Sequence, residues 1–164
     1  MNQKEFEEHL MSLEQAPEIL RGLINGLTDS AMRVKFSEDE FSALENICHL
    51  RDIEVEGYAL RIRRILREDQ PALPDLDGAR LAFERDYNGQ DVEDALRSFA
   101  EARARNVAVL TDLDAAQLER AGDLEGVGTV TLRELLVMLH DHDEGHIEEV
   151  RRLKNRLYAH TDKY

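Results

Sequence analysis

The clearest apolar pattern in the chain lies in its C-terminal third. Leu132, Leu135, Leu139, His142, His146, Val150, Leu153 and Leu157 follow one another at steps of three or four residues. That spacing predicts one α-helix with a single buried stripe. Six of these side chains are aliphatic, and the two in the middle are imidazoles. Ring nitrogens on an apolar stripe need partners. Thr131-Leu132-Arg133-Glu134 reads as a capping box that opens this helix, which runs towards His160.

Three more helices follow from the same kind of pattern. The first covers about Lys4 to Gly26, with Phe6, Leu10, Leu13, Ile19, Leu20, Leu23 and Ile24, and Pro17 should kink or restart it. Thr28 to Phe36 reads as a connection. Ser37-Glu38-Asp39-Glu40 has the form of a capping box. From it a second helix carries Phe41, Leu44, Ile47, Cys48, Val55, Tyr58, Ile62, Ile65 and Leu66, ending near Asp69 before Pro71 and Pro74. At about 1.5 Å per residue it is about 45 Å long. The loop Gln70 to Asp77 leads to a shorter helical stretch ending near Tyr87, broken by Asn88-Gly89. The third long helix spans roughly Val92 to Leu113, with Leu96, Phe99, Ala100, Arg103, Val107 and Leu110 on one face. Asp114 to Gln117 should cap a short extra turn, and Gly122 to Gly128 reads as a loop. The expected fold is all-α: a four-helix bundle of the up-down type with one longer connection, forming a single domain over residues 1–164.

Composition narrows the function classes. The 164 residues are 42% hydrophobic, enough for one real core, and only 5% aromatic. Net charge is −14, from 35 acidic and 21 basic residues, which argues against a nucleic-acid surface. The basic clusters Arg61, Arg63, Arg64, Arg67 and Arg151, Arg152, Lys154, Arg156 read as solvated faces paired with nearby acids. One cysteine, Cys48, excludes an intramolecular disulfide and a cysteine-based zinc site. The charged opening MNQKEFEEHL does not read as a signal peptide, and no apolar run approaches the roughly 20 residues of a membrane span. A soluble cytoplasmic protein is the expectation.

The second helix adds a third histidine. Glu45, Asp52 and Glu56 lie within about 60° of His49 on a helical wheel, between it and the apolar arc. Such an acidic border suggests that the stripe faces something charged. His49, His142 and His146 would form a three-nitrogen metal site that leaves a coordination position open, as in catalytic centres. Zinc, nickel, copper or iron(II) would suit these ligands. Asp52 and Glu45 are the candidate groups behind the ligands, orienting an imidazole or taking a proton from bound water. Gly145, between the two ligands of the last helix, suggests a close approach there. His140 should be exposed, and His9 and His160 should have no special role. The plainer alternative is core histidines bonded to carbonyls or carboxylates. A di-iron site is disfavoured because the chain has no Glu-x-x-His, the nearest being Asp143-x-x-His146. Cys48 and His49 diverge by about 100° and do not form a nucleophilic pair.

Glu45-Asn46-Ile47-Cys48-His49-Leu50-Arg51-Asp52-Ile53-Glu54 resembles the helix-two signature of the DinB-like (DNA-damage-inducible) superfamily. Ile62 to Asp69, the turn from Pro71 to Arg85-Asp86-Tyr87, and Thr131-Leu132 through His142-Asp143-Glu144-Gly145-His146-Ile147 extend the likeness from about Pro17 to Leu157. The resemblance implies a four-helix bundle holding a divalent metal on His49, His142 and His146. Similar proteins include thiol-dependent S-transferases using bacillithiol, mycothiol-type isomerases and the metal domain of ergothioneine-synthesis enzymes. Many relatives are known only as stress-linked proteins, and dimers are frequent. Phe41 stands where a tryptophan is common. Before the last helix, where relatives often carry a polar or histidine residue near a glycine, the segment reads Asp123-Leu124-Glu125-Gly126-Val127-Gly128.

Three function classes follow. The first is an enzyme whose metal activates a low-molecular-weight thiol, as an S-transferase, or water, as a hydrolase, on a small-molecule substrate; the resemblance favours thiol transfer. The second is a non-catalytic metal-binding stress protein with a fourth ligand such as Glu149 or Asp52. The third is a helical interaction module. A homodimer is expected, with no nucleic-acid or membrane partner.

Overall fold

The computed structural model describes residues 3–161. Four long helical segments build it: α1 (Gln3–Ile24), a composite second segment, α6 (Val92–Thr111) and α8 (Leu132–Thr161). Short α2 (Asp29–Met32), α5 (Gly78–Glu84) and α7 (Ala115–Leu118) lie in the connections. The expected all-α four-helix bundle is observed. α1 packs on α6 and α8, and the second segment packs on the same two helices. Consecutive segments one and two therefore stand across a diagonal, as do three and four, so two connections cross the ends of the bundle.

Local signals explain the ends. Asp114 and Gln117 form a reciprocal box at α7, and Thr131 with Glu134 forms another at α8. At the second segment the expected box is displaced. Helix α3 (Ala43–Asp52) starts at Ser42, whose Oγ accepts from Glu45 N at 3.1 Å while Glu45 Oε2 accepts from Ser42 N at 2.8 Å. Ser37-x-x-Glu40 has the same pattern but lies in a turn, because only Ser42 also reaches Asn88 Oδ1, at 2.7 Å. Pro17 sits within α1, which continues through it as one helix.

The second segment is not a uniform helix. After α3 comes a π-helical turn, Ile53–Tyr58, and then α4 (Ala59–Arg67). The wider turn shifts the buried face. Glu54 is buried and Val55 is exposed, the reverse of the apolar pattern's expectation. Arg61 is also buried, not solvated: it donates to Pro74 O at 3.0 Å and pairs with Asp75.

The expected glycine-rich loop is instead a hairpin. β2 (Ala121–Leu124) pairs antiparallel with β3 (Gly128–Thr131) and parallel with β1 (Ala72–Leu73). Leu73, Leu124 and Val130 close one end of the core. Gly122 is required there, since a Cβ would lie 2.9 Å from Pro71 O.

The apolar core is split in two. One cluster holds Leu10, Leu13, Ile53, Ile62, Val107, Leu110, Leu135 and Leu139. The other holds Ala16, Leu20, Ile47, Leu50, Leu96, Phe99, Ile147 and Val150. Between them, at one level of the bundle, lies a buried polar layer containing His49, Glu54, Arg103, Asn106 and Asp143.

Candidate metal centre

His49 projects from α3, and His142 and His146 from successive turns of α8, into this layer. Among the described residues these three offer one nitrogen each within 4.8 Å of one another. The Nε2 atoms of His49 and His142 are 3.1 Å apart. Ring centroids lie 4.7 Å apart for His49 and His146 and 4.6 Å for His142 and His146. Phe41 covers the group, 5.4 Å from the His49 ring and stacked on His146 at 6.4 Å.

Asn46, one turn before His49, decides which nitrogen of His146 faces inward. Nδ1 of His146 donates to Asn46 Oδ1 at 2.7 Å, which leaves Nε2 unprotonated and aimed at the cluster. The Asn46 amide is itself held by donating to Ser42 O at 3.0 Å. Glu149 lies on the outer edge of His146, its Oε2 3.4 Å from Nδ1. A second restraint is steric. Gly78, the first residue of α5, touches the His49 ring so closely that a Cβ there would fall 2.4 Å from Cε1.

Burial pushes the His49 imidazole down to about 4, with the neighbouring His142 adding to the effect. Burial likewise pushes His146 down to about 3, helped by His142 and His49. Both rings are therefore neutral at pH 7, the form that binds a metal. Nδ1 of His49 and of His142 are buried without a hydrogen-bond partner. A proton can be shared between the Nε2 atoms of His49 and His142, but not by three lone pairs at once. A cation among them serves all three. Two nitrogens each about 2.0–2.1 Å from one ion stand about 2.9–3.4 Å apart, which the 3.1 Å separation meets. The residues fit a divalent transition metal.

The acidic border of α3 has other partners. Glu45 accepts from Ser42 N and from Lys35 Nζ, at 2.8 and 3.3 Å. Asp52 accepts from Arg51 Nε at 2.7 Å, Arg85 Nη1 at 2.6 Å and Tyr87 Oη at 2.7 Å. Burial alone would raise the Asp52 carboxyl, but these bonds hold it below the usual range. Glu56 forms a two-pronged pair with Arg85. The charges that this stripe faces are Lys35, Arg51 and Arg85. Gly145 faces open space, with nothing within 4 Å of where a Cβ would stand, so no close approach explains it. His140 is not fully exposed: its ring packs on His9 at 4.3 Å. The His160 side chain lies outside the described residues. Cys48 is buried, and that burial pushes its thiol up to about 11.

The sequence profile of the DinB superfamily matches residues 12–150. The chain belongs to the DinB superfamily. A Bacillus licheniformis relative is 24% identical over 157 residues, covering 95% of this chain and 89% of its own, and is named a "putative metal-dependent hydrolase". YfiT of Bacillus subtilis bears the same description and is 22% identical over 160 residues, covering 96% and 88%. The solved structure of YfiT, described as "a probable metal-dependent hydrolase with an unusual four-helix bundle topology", matches with a TM-score of 0.89. It is 22% identical, with 96% of this chain and 90% of that one covered, and at that identity the likeness is one of fold.

Within this DinB-superfamily chain, the apolar stripe and the acidic border point to the three histidines. They do not point to Asn46 or Gly78 as parts of the site. Asn46 has one available signal, since at three residues before His49 it shares that face of α3. Gly78 has none, because its contact with His49 depends on how the chain returns after α4.

Proposed function

We propose that this protein is a metal-dependent hydrolase in which His49, His142 and His146 hold one divalent transition metal. The observation that supports this is three converging imidazoles with no fourth His, Cys, Asp or Glu in the group among the described residues. Both residues that could have closed the site are engaged elsewhere: Asp52 by two arginines and Tyr87, and Glu149 at the outer edge of His146. A metal at an open three-histidine site lowers the pKa of a bound nucleophile towards neutrality. The chain's own contribution is placement. Asn46 sets the His146 tautomer, Gly78 admits the His49 ring, and Phe41 covers the cluster. Asp52 and Glu45 stay candidates for outer groups acting on the ligands, through the helix that they brace.

Water is favoured as the nucleophile because both curated relatives are named as hydrolases. Thiol activation is the second reading, supported by the family resemblance of the helix-two and last-helix segments. A small-molecule substrate suits either, and a homodimer rests on the resemblance alone. The test begins with elemental analysis of purified protein, where one ion per chain is expected and His146→Ala should lose most of it. A panel of ester, amide and phosphoester substrates is then assayed with and without low-molecular-weight thiols. Metal-dependent turnover without thiol is expected. Turnover that always needs a thiol moves the reading to S-transfer, and unchanged metal content in His146→Ala overturns the site.

A further inference from the structure

The buried polar layer contains one group that touches all four long segments. Arg103 of α6 is 1% exposed, so its guanidinium is almost fully removed from water. It donates to Leu13 O of α1 at 2.9 Å, to Glu54 Oε2 in the π turn at 2.9 Å, and to both carboxylate oxygens of Asp143 on α8. Asn106, one turn along α6, donates to Glu54 Oε1 at 2.8 Å. Asp143 follows His142 in the chain, and its Oδ1 is 4.0 Å from the Nδ1 of that ring.

The faces on either side of this layer are apolar. α6 offers Leu96 and Phe99 below Arg103 and Val107 and Leu110 above it, while α8 offers Ile147 and Val150 against Leu135 and Leu139. Aliphatic stripes of this kind can pack at registers one helical turn, about 5.4 Å, apart with little difference in burial. The two Nη groups of a guanidinium shared by two carboxylates are paired at one register only, here with Nε left without a partner, and register is the best-attested use of buried polar groups.

We propose that Arg103 is a positioning residue for the metal centre. Through Asp143 and Glu54 it locks α8 against the segment bearing His49, and so aims His142 and His146 at His49. This rests on the metal reading above. Arg103 meets no metal itself and acts through the two carboxylates.

The test separates positioning from plain stability. Wild type is first titrated with Co²⁺, following the visible ligand-field bands and the affinity by competition with a chelator. Then Arg103→Met/Glu54→Met/Asp143→Leu replaces the whole ionic group with apolar side chains, an exchange that buried ionic triads can tolerate without loss of folding. The expected result is a helical protein that unfolds cooperatively but binds Co²⁺ at least 10-fold more weakly and with altered bands, in the range seen for outer-shell changes. Wild-type affinity and bands in the folded triple variant overturn the proposal. Should the triple variant not fold, Arg103→Lys replaces it: it keeps the charge and loses the fork. Weakened Co²⁺ binding by the folded Lys variant supports the proposal and unchanged binding overturns it. Wild type that takes up no Co²⁺ refutes the metal reading itself, before any variant is made, whereas tight wild-type binding matched by the variants refutes only the role of Arg103.

Discussion

Asn46 Oδ1 accepts a hydrogen bond from Nδ1 of His146 at 2.7 Å, across the interface between α3 and α8. One side chain thereby assigns the tautomer of a ring on another helix and turns its free nitrogen inward. Asn46→Ala should weaken metal affinity about 10- to 100-fold. Asn46→Asp, which keeps the acceptor for His146 but loses the donor to Ser42 O, should retain more affinity than Asn46→Ala. Competition titration against a chromophoric chelator measures both, and equal affinity in wild type and Asn46→Ala would sink the assignment.

Gly78 makes a steric prediction. With a Cβ 2.4 Å from His49 Cε1, alanine forces the ring or the start of α5 to move. The expected overpacking cost is about 1–3 kcal/mol in the metal-free protein. The rise in melting temperature on adding metal should shrink as well. Thermal unfolding with and without metal reads both quantities, and an unaltered metal-induced rise would show that the His49 ring does not depend on this contact.

The histidines also predict how chelator-treated protein responds to acid. His49 and His146 titrate near 6.5 when unfolded, but burial pushes them to about 4 and about 3 in the folded chain. Between those values the unfolded state binds more protons, so stability rises with pH. The contribution is fully present above about pH 6.5 and is lost as pH falls towards 4. A pKa that differs by one between folded and unfolded chain corresponds to about 1.4 kcal/mol. Denaturant melts at pH 7 and 5 should show the loss, and His146→Gln should flatten it. Identical wild-type stability at the two pH values would contradict the burial of both rings.

Gly145 offers a change in the opposite direction. It lies mid-helix, exposed, with free space where a Cβ would stand. Gly145→Ala should stabilise the protein by about 0.5–1 kcal/mol through helix propensity and a less flexible unfolded chain. Metal content should stay the same. Destabilisation in equilibrium melts would point to a role for this glycine beyond the contacts described.

Asp52 separates bracing from proton transfer. Asp52→Asn weakens bonds from Arg51, Arg85 and Tyr87, and should cost about 2–3 kcal/mol of stability. If Asp52 only braces α3, metal content and the turnover of folded enzyme change little. A fall in turnover of 100-fold or more at full metal loading would instead assign it a part in moving the proton.

Helical periodicity and end signals are local, and they were legible. The stripe from Leu132 to Leu157, the boxes at Asp114 and Thr131, and the histidine pair on one face of α8 each depend on neighbours within a turn or two. Competition between equivalent local signals was not legible. Ser37-x-x-Glu40 and Ser42-x-x-Glu45 both satisfy the capping pattern, and the distant Asn88 decides for the second. The hairpin at Ala121–Thr131 needed β1, about 50 residues earlier, to pair with.

The layer around the histidines shows the same division most sharply. By itself the sequence determined that His142 and His146 share an inward helix face and that His49 stands beside an acidic border on another helix, because a 3.6-residue period fixes direction along each helix. Only the tertiary structure decided that those faces meet at one level. It also decided that the acids bordering His49 serve Lys35, Arg51 and Arg85, and that Arg103 finds its carboxylates 49 and 40 residues away at Glu54 and Asp143. A buried charge takes its partner from whichever helix the packing brings alongside, and no periodicity within one helix encodes that choice.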